Sequence, residues 1–221
     1  MEKGCLVLLS GGQDSATCLA WANLNFKEVH TVSFDYGQRH RVELECSKKL
    51  SELAEVKSHV IIPVSSLPFL EGSALFDMGD VGGNHSINSN LPASFVPGRN
   101  YIFLGLAAAK AYGLGINDLV TGVCQTDFSG YPDCRDLSIK AVGVALFLCL
   151  DFRVTIHTPL MWKTKAETVL MMKDFDKLEW YKYSHTCYNG QHPPCGECPA
   201  CKLRAKGFDE VGIRDPIMEG Y

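Results

Sequence analysis

Short aliphatic runs alternate with segments of helical period along almost the whole chain. Runs at residues 6–9, 29–34, 59–64, 118–123 and 152–158 are too short for helices and read as strands, while residues 15–24, 41–53, 100–112, 136–150 and 165–175 carry a helical pattern. An unbroken apolar run such as Leu6-Val7-Leu8-Leu9 suits a parallel strand covered on both faces. The alternation therefore predicts an α/β fold built on an open, Rossmann-like parallel sheet. Gly113 and Gly115 are expected to end the third helix, because glycine takes the left-handed conformation at low cost. The stretch 65–99 is rich in Gly, Ser, Asn and Pro, and so long a connection inside a compact domain usually serves a function. It is expected to be a mobile flap over an active site. The expected division is a catalytic domain over 1–180 and a small C-terminal metal-binding segment over 181–221 packed on it.

With 221 residues the chain is long enough for one sizeable core. No stretch approaches the roughly 20 consecutive apolar residues of a membrane helix, and no signal-peptide layout opens the sequence, so a soluble cytoplasmic protein with no membrane partner is expected. A formal net charge of −4 argues against a large nucleic-acid surface and in favour of a small-molecule substrate. Ten cysteines without an export signal point to thiols and metal rather than disulfides.

The chemistry is concentrated at the ends of the expected strands. Directly after the first comes Ser10-Gly11-Gly12-Gln13-Asp14-Ser15, where two glycines allow a sharp turn that presents backbone N–H groups, and the next helix adds the positive end of its dipole. This reads as a pyrophosphate cradle that lacks the lysine of a Walker loop. The second strand ends in Phe34-Asp35-Tyr36-Gly37-Gln38-Arg39-His40, in which Asp35 is a candidate for a ribose hydroxyl or a metal and Arg39 for an anion. Arg99 and Lys165 both open helices, where a cation is unfavourable to the dipole, so each is a candidate anion-gripping group; Asn100 reads as an N-cap. After the fourth strand, Phe128 and Tyr131 can stack on a flat heterocycle, Asp127 and Asp133 can accept from its N–H groups, and Arg135 can pair with an acid; the alternative is an aromatic-anchored loop capped by Asp133 or Asp136. Cys187, Cys195, Cys198 and Cys201 form two overlapping Cys-x-x-Cys hooks with a remote fourth thiol, the pattern of a closed structural zinc site, with an iron–sulfur cluster as the rival. Lys202, Arg204 and Lys206 read as a solvated helix face.

The motifs SGGQDS, FDYGQRH, FVPGRN, TGVCQTDFSGYPDCR, TPLMW with Lys165-Ala166-Glu167, and TCYNG followed by CGECPAC together resemble the 7-cyano-7-deazaguanine synthase family within the PP-loop ATP pyrophosphatases. The resemblance runs from Leu6 to about Gly207. It implies an adenine nucleotide alpha-hydrolase-like fold and a ligase that uses ATP, with Mg²⁺, to convert 7-carboxy-7-deazaguanine and ammonia into the nitrile through an amide. It implies that Leu8, Leu9, Ser10, Gly11, Gly12, Gln13, Asp14, Ser15, Ala16, Thr17 and Cys18 form the nucleotide-binding stretch. Asp14, Ser15, Arg99 and Lys165 would be catalytic, and Arg99, Asp127, Tyr131, Asp133 and Arg135 would contact the substrate. The four cysteines would hold one structural zinc. Free ammonia is the expected nitrogen source, since the chain leaves no room for a glutaminase domain, and a homodimer is the expected assembly. The competing expectations are a PP-loop enzyme acting on tRNA and a nucleotide-binding zinc module without turnover.

Overall fold

The structure is a computed structural model that describes residues 4–38, 40–64, 73, 75, 82–126 and 130–218. Arg39, Asp127, Phe128 and most of the first half of the expected 65–99 flap lie outside the described residues.

Five parallel strands form one sheet: β1 (Gly4–Leu8), β2 (Glu28–Asp35), β3 (Ser58–Pro63), β4 (Asp118–Val120) and β5 (Thr155–His157). Their order across the sheet is β3-β2-β1-β4-β5, with Val7 of β1 opposite Thr31 on one side and Val120 on the other. Six α-helices accompany them: α1 (Gln13–Asn25), α2 (Val42–Leu53), α3 (Arg99–Leu114), α4 (Asp136–Leu150), α5 (Lys165–Asp174) and α6 (Pro199–Val211). Among the described residues, no helix is long and apolar enough to cross a membrane.

The strand pleat sorts the core into two layers. Leu6 and Leu119 point to a cluster shared with Leu104, Ala107, Ala108 and Ala111 of α3 and Ile139 of α4. Cys5, Val7, Leu9 and Val120 point the other way, toward Leu19 of α1, Leu50 of α2, Val169 and Met172 of α5, and Phe208 of α6. Helices α1 and α2 thus cover one face and α3 and α4 the other, as right-handed crossovers demand once the chain leaves β3 at one edge and returns beside β1 as β4.

Most helix limits match the sequence pattern, and the differences have local causes. Helix α3 runs through Gly113 and ends at Gly115, which has φ +69°. Its N-cap is Gly98, with φ +68°, and not Asn100; the Asn100 N–H is instead capped from a distance by the Asp133 carboxylate at 3.1 Å. Strand β4 stops at Val120, three residues before the expected end. Helix α6 is anchored at its start by Pro199, whose missing N–H costs nothing there.

Gly11 is required by geometry. It has φ +92°, and a Cβ at this position would lie 2.1 Å from the Glu43 carbonyl oxygen on α2. Gly11→Ala is therefore expected to destabilise the protein by roughly 2 kcal/mol or more, through backbone strain and loss of the α2 contact. Urea unfolding checks this; an unchanged midpoint would contradict the close approach.

Candidate active site

In a sheet buried on both faces, a ligand can reach the backbone only at the strand ends, and the crevice opens where the connections leaving two neighbouring strands diverge. Here that point lies between β1 and β4. Gly122, just after β4, comes so close to the loop after β1 that a Cβ would sit 3.1 Å from the Asp14 backbone carbon. A cavity of about 290 Å³ opens there, lined by Leu8, Leu9, Ser10, Gly12, Gln13, Asp14 and Ser15 from the first loop, by Arg99, Lys165 and Tyr131, and by Tyr36, His40, Glu43 and Tyr188. A second cavity, of about 510 Å³, shares Tyr131, Lys165, Tyr188, Ala200 and Leu203 with it and extends along Gly82, Gly83 and α6.

The loop after β1 is built to receive an anion. Helix α1 starts at Gly12 with no side-chain cap, which leaves its first amides to a ligand. Serine hydroxyls hold the turn: the Gly11 N–H donates to Ser15 Oγ at 3.2 Å, the Gly12 N–H to Ser10 Oγ at 3.2 Å, and Ser15 Oγ–H to the Gly12 carbonyl at 3.0 Å. Gln13 is buried, and neither its amide nitrogen nor its oxygen has a hydrogen-bond partner. Gly11, Ala16, Thr17 and Cys18 do not line the cavity. Thr17 faces inward, its hydroxyl 2.6 Å from that of Tyr181, and Cys18 is fully buried, its thiol pushed up first by burial and then by the nearby Asp14 charge.

Lys165 is the first residue of α5, behind a capping box in which Thr164 Oγ1 accepts from the Glu167 N–H and Glu167 accepts from the Thr164 N–H. Its Nζ lies 2.6 Å from both carboxylate oxygens of Asp14, 151 residues away in sequence. The close fit depends on Gly207 of α6, where a Cβ would meet the Lys165 Cβ at 2.6 Å. Arg99 opens α3, and its Nη1 donates to Tyr36 Oη at 3.4 Å. Burial works against its charge, but Tyr36, Tyr131 and Asp133 more than offset this and hold its pKa above the ordinary arginine value.

Of the substrate candidates, Tyr131 lines both cavities, its hydroxyl 2.6 Å from that of Ser94 and its ring stacked 6.0 Å from Phe95. Asp133 caps α3 rather than lining the cavity, and Arg135 is exposed at the start of α4, away from it. Asp127 lies outside the described residues. Sequence reasoning did not single out Phe34 and Phe103, stacked 4.2 Å apart on the cavity wall, nor Glu43, His185 and Tyr188. Glu43 follows the FDYGQRH segment by three residues, one helical turn beyond His40, and that spacing was the available signal.

The four cysteine sulfurs lie within 4.8 Å of one another, a set that fits one tetrahedral metal ion. Backbone N–H groups of Cys195 and Cys198 point at the sulfurs of Cys187 and Cys195 at 3.5 and 3.4 Å. The Cys201 thiol and the N–H groups of Cys201 and Tyr188 pull the Cys198 thiol below the usual cysteine range. The segment is tied to the phosphate loop, since the His185 N–H donates to the Gly11 carbonyl at 2.9 Å. Arg204 corrects the expectation of a solvated face. It is buried, and all five of its N–H donors are used: two on Asp215, one each on the Ser184 and Thr186 hydroxyls, and one on the Tyr181 carbonyl. Lys202 and Lys206 are exposed as expected.

A sequence model of the family described as queuosine biosynthesis protein QueC matches residues 4–212 of this chain. A protein of Chromobacterium violaceum named 7-cyano-7-deazaguanine synthase is 51% identical over 222 residues, covering 99% of this chain and 94% of that one. One of the same name from Laribacter hongkongensis is 50% identical, covering 96% and 93%. Among solved structures, the NMN synthetase of Francisella tularensis superposes with a TM-score of 0.51 at 13% identity, over 96% of this chain and 79% of that one. A 4-thiouridine synthetase bound to RNA and ATP gives 0.51 at 16%, over 95% of this chain and 50% of that one. These two likenesses concern the fold alone.

Arg204→Lys keeps the charge but cannot reproduce the fork to Asp215 or reach the three other acceptors. It is expected to lower stability by about 2 kcal/mol, because buried acceptors that Arg204 served are left unpaired. Denaturant unfolding measures this, and a loss under about 0.5 kcal/mol, the level of an ordinary surface change, would show the network to be dispensable.

Proposed function

The chain belongs to the QueC family of queuosine biosynthesis proteins, and we propose from that membership that it is an ATP-dependent ligase converting 7-carboxy-7-deazaguanine and ammonia into 7-cyano-7-deazaguanine. The observation that carries the reading is identity of about half over nearly the full length of relatives bearing that name. The site supports it: a phosphate-receiving loop, two cations and stacking aromatics share one cavity, and no activated protein nucleophile is needed.

A carboxylate oxygen leaves only after it carries a phosphoryl or adenylyl group. The chain's task is then to position two anions and neutralise charge as it moves. In this reading the amides at the start of α1 receive the ATP phosphates, and Lys165 turns from Asp14 to a phosphate. Asp14, a carboxylate of the loop, would help hold the Mg²⁺ that accompanies ATP, which would supply charge neutralisation there. Arg99 holds the substrate carboxylate, and Tyr131 offers its ring to the deazapurine. Ammonia adds to the activated carbon and the activated oxygen departs, giving the amide. A second activation of the amide oxygen and loss of two protons leave the nitrile. Cys187, Cys195, Cys198 and Cys201 hold one zinc ion, which orders residues 181–218 against the loop.

The assembly proposed is a cytoplasmic homodimer. Helix α4 supports it, because Leu137, Val144, Phe147 and Leu148 are exposed along it and only Ile139 is buried, leaving an apolar face of the kind that subunits cover.

Purified protein with Mg-ATP, ammonium and the carboxylic acid is expected to yield the nitrile by mass spectrometry, with glutamine unable to replace ammonium. No deazapurine product from either the acid or the amide would overturn the reading. Lys165→Met should lower kcat/KM about 100-fold or more, as loss of a charge that stabilises the transition state does; near-normal turnover would remove Lys165 from the phosphate site. Metal analysis should find one zinc per chain, and stripping it with a chelator should abolish activity and expose the 181–218 amides to hydrogen exchange. Iron with visible absorption would replace zinc by a cluster.

A further inference from the structure

Arg99 is an unusual residue with which to open a helix. The first turns of α1, α2, α4 and α5 each carry an acidic residue, as the positive end of a helix dipole favours: Asp14, Glu43 with Glu45, Asp136 and Glu167. Helix α3 has none of its own, begins on a cation, and has Gly98 as its N-cap, a residue with no side chain to accept from the free amides. The lack is made good from outside. Asp133, 33 residues away in sequence, accepts the Asn100 N–H on Oδ2 at 3.1 Å, so it supplies α3 with both a cap and the missing negative charge.

That cap joins two segments that carry groups of the cavity wall. The turn Pro132–Cys134 fixes Asp133, with the Cys134 N–H donating to the Tyr131 carbonyl at 3.2 Å. Contacts on either side of the cap repeat the join: Asn100 Nδ2 donates to Cys134 Sγ at 3.2 Å, and the Tyr131 hydroxyl lies 2.6 Å from that of Ser94. Arg99, Asn100, Tyr131 and Cys134 all line the first cavity, whereas Asp133 does not. Its carboxylate is engaged at the helix end, and its charge reaches Arg99 through space, after those of Tyr36 and Tyr131 in effect. A direct ion pair would occupy the guanidinium fork. A cap one residue away fixes the helix end and leaves the fork to an incoming carboxylate.

We propose that Asp133 is a positioning residue: by capping α3 it sets the direction of Arg99 toward the carboxylate of the acid, without touching substrate itself. The proposal rests on the reading above, in which Arg99 holds that carboxylate, and adds the residue that aims it. Because Tyr131 stands two residues before Asp133 and is tied to Ser94, the same cap keeps the aromatic ring and the guanidinium in one fixed relation.

The test is steady-state kinetics of Asp133→Ala and Asp133→Asn, varying the acid and ATP in turn, with Asp133→Ala repeated in an Arg99→Lys chain. Asp133→Ala is expected to lower kcat/KM for the acid about 10-fold or more and to leave the KM for ATP within about 3-fold, a split that a general loss of folded protein would not give. Asp133→Asn keeps an oxygen for the Asn100 N–H and should recover most of the loss. In the Arg99→Lys chain, which has no planar fork to aim, Asp133→Ala should cost no more than about 3-fold further. An equal loss in both backgrounds overturns the proposal, since Asp133 would then act without Arg99, and so does an Asn variant as damaged as the Ala one. If Asp133→Ala fails to fold by thermal unfolding, Asp133→Glu takes its place in the cycle, because it keeps the charge and displaces the cap. Wild-type protein that forms no nitrile defeats the functional reading and the proposal with it, whereas normal wild-type turnover with losses independent of Arg99 defeats the positioning alone.

Discussion

Burial of β1 on both faces decides where chemistry can occur in this fold. Cys5, Val7 and Leu9 fill one side of the strand and Leu6 the other, so helices occupy both flanks and no ligand can approach across the sheet. What stays open is the end where the chain leaves β1 toward α1 on one face, while β4, alongside it, sends its chain toward α4 on the other. Every group in the cavity is placed relative to that split. The phosphate loop hangs from β1, Gly122 and Tyr131 follow β4, Tyr36 and His40 follow β2, and Lys165 lies beyond β5. The sheet thus converts four sequence-distant strand ends into one wall.

The C-terminal segment completes that wall from the far side. It supplies Phe208 to one hydrophobic cluster and Cys187, Cys198 and Cys201 to the other, so it is packed into the domain rather than appended to it. Three independent contacts transmit its position to the chemistry: the His185 N–H on the Gly11 carbonyl, Gly207 against Lys165, and Tyr188 beside His40. Arg204 locks the segment internally, joining the chain before the cysteine cluster to Asp215 after α6. A metal bound by the four cysteines therefore acts at a distance. It would hold the loop and Lys165 in register through those contacts.

Much of this was legible in the sequence because the signals are local. Unbroken aliphatic runs marked the strands, paired glycines marked the loop, and Cys-x-x-Cys spacing marked the metal site. The strand order was not legible, since nothing in a three-residue strand such as β4 says which neighbour it joins. The inward face of helix α6 was misjudged for a related reason: its buried residues, Ala200, Cys201, Arg204, Gly207 and Phe208, mix small, charged and aromatic side chains. Arg204 looked like one of three solvated cations and became the most fully bonded side chain of the segment, because its partners lie before and after the helix. Asp133, read as a ligand for substrate, is occupied in capping α3, a role that needs the three-dimensional meeting of residues 33 apart. Asn100 was mistaken for the cap that Asp133 supplies.

The charges in the cavity form a sequence of exchanges rather than a fixed field. At 4 Å a pair of unit charges is worth about 4 kcal/mol at an effective dielectric of 20, and less as water enters. Asp14 is about one-third exposed, so its hold on Lys165 is discounted by solvent. A triphosphate carries more charge than one carboxylate and brings its own cation for Asp14. On the proposed reading, a transfer of Lys165 from carboxylate to phosphate would leave neither Asp14 nor the ligand unpaired, and the cavity need not hold a naked lysine while it is empty. Arg99 follows the opposite logic. No carboxylate of the described residues lies within salt-bridge distance of it, and phenols together with the more distant Asp133 stabilise the guanidinium. It stands ready for an anion that arrives without a counter-ion, as a carboxylated base does. Two cations, one held by a carboxylate partner and one without a salt bridge among the described residues, would on the proposed reading distinguish two anions of different charge within a single cavity.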